Sequence, residues 1–452
     1  LKRRSSGTSS IFKNHFERTS HLSHVLHIYR RGSLKVLVIG SGGREHTIAW
    51  KFTKSKRLSG LFIAPGNAGT AAIGENNPDL DIHNPEEVIR YCREKQVNFA
   101  FIGPEDPLAE GLADALREEG ISTVGPHREA AQLESSKVFS KDFMKSYNIP
   151  TAASKEFSDF GTFSQHLSSQ KNQVVLKKSG LAAGKGVLES SDREVQLEFG
   201  KKVLKNDTLL VEERLRGWEI SIFALTDGKN FSLLPPSADF KKAEEGDKGL
   251  NTGGMGAICP VPTVNSTLME QIRKEIITPT FKGVQDAGLQ YAGILYFGLM
   301  ITPEGPKVLE YNVRLGDPET QVVLPLLKSD IGDIVDAMVH GNLDNIPIRI
   351  SDDAALGVVV ASAGYPGTYK KGVTVTKIPD QKEANSLVFH ASTQIDARGR
   401  VLTGGGRCFT AVGLSPDILE AQARAYKTAE EITFNGAWFR RDIGNKFFAD
   451  EE

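Results

Sequence analysis

The chain has 452 residues, enough for about three cores of ordinary size. Its 55 Lys and Arg against 56 Asp and Glu give a formal net charge of -1, so there is no basic excess of the kind that marks a nucleic-acid partner. No apolar run approaches the roughly 18 residues of a membrane helix, and the three scattered cysteines, Cys92, Cys259 and Cys408, lack the spacing of a disulfide scaffold or zinc site.

Residues 1–33 carry seven basic residues against one acid, Glu17, together with seven serines and no apolar periodicity. This composition fits a disordered or targeting tail of the organellar transit type, and, with no methionine before Leu34, an upstream fragment or a misplaced translation start fits it equally. His21, His24 and His27 are three apart, as ligands on one helical face would be, but such a tail carries no metal assignment. The expected location is the cytoplasm, or an organelle if residues 1–33 act as a transit peptide.

From Leu34 the pattern is α/β. Lys35–Ile39 reads as a strand, Gly40–Gly43 as a glycine loop, and Thr47 to about Lys54 as a helix. Strands follow at Leu61–Ala64, Asn98–Ile102 and Thr123-Val124, with helices at Pro85–Lys95 and Leu108–Glu119. Polar or glycine loops close three of the strands: Gly40–Gly43, Pro65–Gly69 and Gly103–Asp106. Ligands of open parallel sheets bind at such strand ends. A dinucleotide fold is disfavoured, because Glu45 stands where the third glycine of GxGxxG should be and Pro65-Gly66-Asn67 offers no carboxylate to a ribose.

Ser136–Tyr147 reads as a helix carrying Lys137 and Lys141. Val174–Lys177 is a strand leading into Lys178-Ser179-Gly180-Leu181-Ala182-Ala183-Gly184-Lys185-Gly186. Backbone amides and a lysine in such a loop can lie along a polyphosphate, although a mobile surface loop has the same composition. It is not a Walker A loop, since Gly186 stands where Ser or Thr should ligate magnesium. Leu209–Glu213 is a strand ending in Glu212-Glu213, and Glu219 lies in an otherwise apolar stretch where a carboxylate needs a partner. Asn251–Ala257 is a second small-residue loop.

Gly293–Ile301 and Lys307–Tyr311 read as strands joined by the Pro303-Glu304-Gly305 turn. Alternate residues share a face, so Glu310 and Asn312 present a carboxylate and an amide oxygen side by side, a hard-oxygen pair suited to Mg²⁺. Arg314, Asp317 and Glu319 follow in a Gly/Pro turn. A solvated hairpin end would share these charges. The last unit holds a strand at Leu356–Ala361, a turn at Gly364–Gly367, the segment Val388–His390 and a turn at Gly404–Arg407.

Five of these segments in this order resemble the glycinamide ribonucleotide synthetases of the ATP-grasp superfamily: Lys35–His46, Ala64–Thr70, Gly180–Gly186, Asn251–Ala257 and Arg314–Gln321. The resemblance runs from Leu34 to the C-terminus. It implies a multidomain α/β ATP-grasp ligase: a tail at 1–33, an N-terminal parallel-sheet, substrate-binding domain at 34–135, a two-lobed ATP-grasp core at 136–350 with its lid at about 152–210, and a small C-terminal α/β domain at 351–452. The implied reaction joins glycine to 5-phosphoribosylamine with ATP through a glycyl phosphate, in purine biosynthesis. It further implies Glu310 and Asn312 as ligands of Mg²⁺ or Mn²⁺. Lys137, Lys177, Gly184, Gly186, Glu212, Glu213 and Glu219 would face ATP, and Arg314, Asp317 and Lys185 would serve the chemistry. Gly42, Gly43, Asn67, Gly69, Glu105, Asp239 and Glu319 would hold the other substrates.

The expected partners are these small molecules, with no nucleic acid or membrane and with a monomer or weak dimer as the assembly. The family's Lys-Ala-Asp-Gly is Lys177-Lys178-Ser179-Gly180 here, and its Asp-His-Lys-Arg is Asp239-Phe240-Lys241-Lys242, so one carboxylate and one imidazole are missing. Gln196–Leu209 is also shorter than the usual lid segment. Another ATP-grasp ligase, a biotin-dependent carboxylase component or a non-catalytic nucleotide-binding module are the alternative readings.

Overall fold

The computed structural model describes residues 32–182, 186–380 and 385–448. The tail up to residue 31, with its three spaced histidines, and the predicted site residues Gly184 and Lys185 lie outside the described residues.

Five parallel strands open the fold, in the order β3-β2-β1-β4-β5: β1 (Leu34–Gly40), β2 (Leu58–Pro65), β3 (Glu75–Asn76), β4 (Phe99–Ile102) and β5 (Ser122–Pro126). β1 is buried almost throughout, as a central parallel strand covered on both faces must be. Helix α1 (Gly43–Thr53) starts four residues earlier than the apolar pattern predicts. The Glu45 carboxylate turns back to accept the Gly42 N–H at 2.6 Å and so caps the first turn. The helix predicted at 108–119 is two helices, Glu105–Glu110 and Leu112–Glu118, because Gly111 at φ 94° ends the first in the left-handed region.

The parallel sheet continues into the middle of the chain. β16 (Tyr291–Thr302) pairs with β5 through Tyr291 and Ala292, then runs antiparallel between β10 (Trp218–Thr226) and β17 (Gly305–Asn312). One sheet therefore carries both the N-terminal loops and the predicted metal hairpin. Two helices lead into this region: α2 (Arg128–Ser135), and α3 (Lys137–Ser146), which Ser136 caps by accepting the Phe139 N–H. Residues 154–213 form a separate four-stranded antiparallel sheet, Ser154–Phe157, Leu209–Glu213, Val174–Lys178 and Val187–Glu189 in spatial order. It has its own small core around Phe157, Phe163, Leu176 and Val211.

The last sheet is built on Ala354–Ser362 and Arg407–Ser415, with Ser386–His390 outside the latter. It also takes Ala238–Asp239 and Gly256–Cys259 from the middle of the chain. These two pieces span only two and four residues, too short for a strand period to show in the sequence.

Candidate active site

The ends of β1, β2 and β4, the helices α2 and α3, the hairpin β16–β17 and the C-terminal sheet surround a cleft of about 590 Å³. Eleven of the predicted residues line it: Gly42, Glu105, Lys137, Gly186, Glu212, Asp239, Glu310, Asn312, Arg314, Asp317 and Glu319.

Glu310 and Asn312 both face the cleft from β17, opposite Gly298 and Tyr296 of β16. Tyr311 between them points the other way, into the core, where its hydroxyl meets the Thr280 hydroxyl at 2.8 Å. Burial alone would raise the Glu310 pKa; Lys241, Lys177, Lys137 and Arg314 instead hold it below the ordinary carboxylate value. Burial pulls the Lys137 ammonium below its usual range, against the attraction of Glu310.

Arg314 is half-buried, and each of its guanidinium nitrogens has a partner. Its Nε donates to Glu105 at 3.1 Å, Nη2 meets Glu134 at 2.8 Å and Asn312 Oδ1 at 3.3 Å, and Nη1 reaches the Leu315 carbonyl at 3.3 Å. Burial works against the charge of Glu105, yet Arg314 and Arg44 hold its pKa below the usual value. Glu134, which sequence reasoning did not select, is buried with it, and burial pushes its carboxyl up to about 7 despite Arg314.

Asp317 is where three parts of the chain meet. Its Oδ2 accepts the Arg44 N–H at 3.1 Å, and its Oδ1 accepts from Gln321 at 3.1 Å and lies 3.2 Å from Arg407 Nη1. Burial opposes the charge, but Arg407 and Arg44 keep the carboxyl below its usual pKa. Arg407, from the C-terminal sheet, also donates to the Asp317 carbonyl at 2.8 Å and to the Gly253 carbonyl at 2.5 Å. The Gly404–Arg407 turn drew attention in the sequence, but a lone arginine after glycines carries no signal of reaching a distant loop. Asp239 lies deep in the cleft beside Lys241 at 3.9 Å, and burial raises its pKa. Glu319 is buried and accepts from the Ser221 hydroxyl at 3.1 Å, which in turn meets Tyr296 OH at 2.8 Å.

Toward the four-stranded sheet, Glu212 is enclosed by Lys177 at 2.9 Å and Lys141 at 3.4 Å. Lys177 stands behind Glu212 and reaches the Leu309 carbonyl at 3.3 Å. Burial draws the Lys141 ammonium down to about 8, with Glu212 opposing. Lys141 is a further lining residue outside the predicted set; its place one helical turn after Lys137 was the available signal.

Six other predicted residues do not line the cleft: Lys177, held behind Glu212, and the five that follow. Asn67 is a buried buckle: its amide donates to the carbonyls of Ser41, Gly42 and His390 at 2.9, 3.3 and 3.0 Å, and its oxygen takes the Gly69 and Thr70 amides. Gly69 packs on His46, whose Cε1 would lie 2.3 Å from an added Cβ, and Gly43 packs on Gln321 in the same way at 2.4 Å. Both glycines allow close approach between elements rather than to a ligand. Glu213 follows Glu212 on a strand, so it points to the opposite face, where it accepts the Ala153 N–H at 3.0 Å. Glu219 pairs with Lys241 at 2.5 Å at the edge of the site.

The N-terminal glycine loop does not offer a dinucleotide cradle. The Glu45 carboxylate occupies the helix N-terminus that a pyrophosphate would need. It also lies within 3.1 Å of where Cβ atoms on Gly40, Gly42 and Gly103 would stand, so those glycines make room for it.

Comparison with known proteins agrees with this architecture. Three family models match in succession: phosphoribosylglycinamide synthetase N domain at residues 34–134, its ATP-grasp (A) domain at 135–320 and its C domain at 355–446. The chain is 43% identical over 425 residues to the trifunctional purine biosynthetic protein adenosine-3 of Gallus gallus, covering 92% of this chain but only 42% of that protein. It is 43% identical to the phosphoribosylamine–glycine ligase of Chlorobaculum tepidum, covering 91% of this chain and 100% of the relative. A crystal structure of phosphoribosylamine–glycine ligase from Thermotoga maritima superposes with a TM-score of 0.79 at 35% identity, covering 91% of this chain and 100% of that one. The cleft is built from the three segments that these family models match in succession, and the chain belongs to the phosphoribosylglycinamide synthetase family.

Proposed function

We propose that this cleft joins glycine to 5-phosphoribosylamine at the expense of ATP, yielding glycinamide ribonucleotide, ADP and phosphate through a glycyl phosphate. The observation that carries this reading is the cationic setting of the hairpin end: Lys137, Lys177, Lys241 and Arg314 surround Glu310, and Arg44 and Arg407 flank Asp317. The first step brings a carboxylate against a γ-phosphate. Two anions approach only where fixed cations and backbone donors screen them. Arg314 is suited to the transferred phosphoryl group, and Lys137 and Lys177 to the polyphosphate. The amine of phosphoribosylamine then attacks the acyl carbon, phosphate leaves, and the amine gives up a proton.

Glu310 and Asn312 would hold Mg²⁺ or Mn²⁺ with one carboxylate and one amide oxygen from a single strand face. Among the described residues no group of three or more His, Cys, Asp or Glu side chains forms a metal cage, which suits a cation that enters with the nucleotide. When bound, the metal neutralises charge developing on the phosphate oxygens. The substrates are small molecules, and the assembly proposed is a monomer or weak dimer.

Oxygen transfer tests the acyl phosphate. Glycine labelled with ¹⁸O in its carboxylate is expected to deliver one labelled oxygen to the released phosphate. Phosphate without label, formed while glycinamide ribonucleotide accumulates, would contradict it.

A further inference from the structure

Glu134 lies outside every role assigned above, yet it touches the reacting edge at two points. It sits near the end of α2, and its side chain is only 6% exposed. One oxygen, Oε2, accepts the Val313 N–H at 2.7 Å; the other, Oε1, lies 2.8 Å from Arg314 Nη2. The pairing of β17 with β16 stops at Asn312 opposite Tyr296. Val313 therefore has no ladder partner for its amide, and Glu134 supplies one. The same carboxylate fixes the backbone just after Asn312 and the guanidinium one residue further on.

The charges around it make this a specific arrangement. Arg314 and Arg44 attract Glu134, Glu105 repels it, and Lys137, the first residue of α3, is drawn by it. Glu105 accepts from a second nitrogen of the same guanidinium, Nε, at 3.1 Å. Arg314 is thus held by two carboxylates and cannot swing without breaking a charge-assisted bond.

We propose that Glu134 is a positioning residue for phosphoryl transfer, holding the Arg314 guanidinium and the Asn312–Arg314 backbone in the geometry that the transferred group requires. This rests on the ligase reading of the cleft. It differs from a packing role because it predicts that the charge of Glu134 acts through Arg314, separately from the bond to the Val313 N–H.

A double-mutant cycle on the full chain separates the two. Glu134→Gln keeps an oxygen for the Val313 N–H and removes the charge facing Arg314. It is expected to lower kcat at least about tenfold while KM for ATP and for glycine stays within about twofold. In an Arg314→Lys background the same substitution is expected to change kcat by less than about twofold, because the partner it positions is already gone. Effects that multiply across the cycle, or a Glu134→Gln enzyme with unchanged kcat, would overturn the proposal. Melting curves establish that each variant is folded; if Glu134→Gln fails to fold, Glu134→Asp replaces it in the cycle and the same non-additivity is required. A parent chain without glycine-dependent turnover would refute the ligase reading instead, so the two failures are distinct.

Discussion

Glu310 is the residue on which the site's electrostatics turn, because four cations converge on it and it is the carboxylate proposed to hold the metal. Glu310→Ala is expected to lower turnover by about two orders of magnitude or more at saturating Mg²⁺, with the fold intact by circular dichroism; near-normal phosphate release would remove it from the mechanism. Glu212 is different in kind. It is buried between Lys141 and Lys177, and its removal leaves two ammonium groups without their shared carboxylate. Glu212→Ala is expected to cost about 3–5 kcal/mol of stability as well as activity, read as a fall in urea midpoint. Thiols should be irrelevant to both properties. Burial pushes Cys92 up to about 12 and raises Cys259 and Cys408 above the usual thiol range, so brief treatment of the folded protein with iodoacetamide is expected to leave activity unchanged.

At the level of elements, the hairpin β16–β17 was legible because an apolar run, a Pro-Glu-Gly turn and a strand ending in polar groups follow one another, and the structure extends each strand by only a few residues. The start of α1 was not legible, since Glu45 reads as a charge in a helix until its carboxylate is seen folded back over Gly42. Asn67 and Gly69 were given to the substrate because glycine loops at strand ends usually face ligands; here the Asn67 amide is consumed by carbonyls of Ser41, Gly42 and His390. The same junction contains a buried pair, with His46 Nδ1 accepting the His390 N–H at 2.8 Å. Burial depresses their pKa values to about 3 and about 4. Both rings are then neutral in the folded protein, whereas the unfolded chain takes up protons near pH 6.5. The stability they contribute is full above about pH 6.5 and declines as pH falls toward 4. Asn at position 46 keeps an acceptor but cannot titrate. His46→Asn is expected to lose less melting temperature between pH 7 and pH 5 than the parent chain, and an equal loss would exclude this pair as the acid-sensitive element.

For the whole molecule, the parallel-sheet start and the ordered series of motifs disclosed the general plan, and the way the units interlock did not show. Ala238–Asp239 and Gly256–Cys259 cross into the C-terminal sheet, and Arg407 returns from that sheet to bond the Gly253 and Asp317 carbonyls. Long-range contacts of single residues leave no periodic trace in a sequence. Arg407→Ala is expected to reduce kcat at least about tenfold with little change in melting temperature, because it frees the Asp317 turn while leaving the sheet's apolar core in place; wild-type kcat would show that the C-terminal sheet is not needed to order the site. One cleft, assembled from all these units, is proposed to couple ATP cleavage to glycine and 5-phosphoribosylamine. The most direct measurement is phosphate release by the purified chain with ATP and Mg²⁺, the two substrates being added singly and together, and bicarbonate tested in place of glycine. Release that requires both substrates and matches the glycinamide ribonucleotide formed is the predicted result; release that proceeds with bicarbonate and ignores glycine would contradict it.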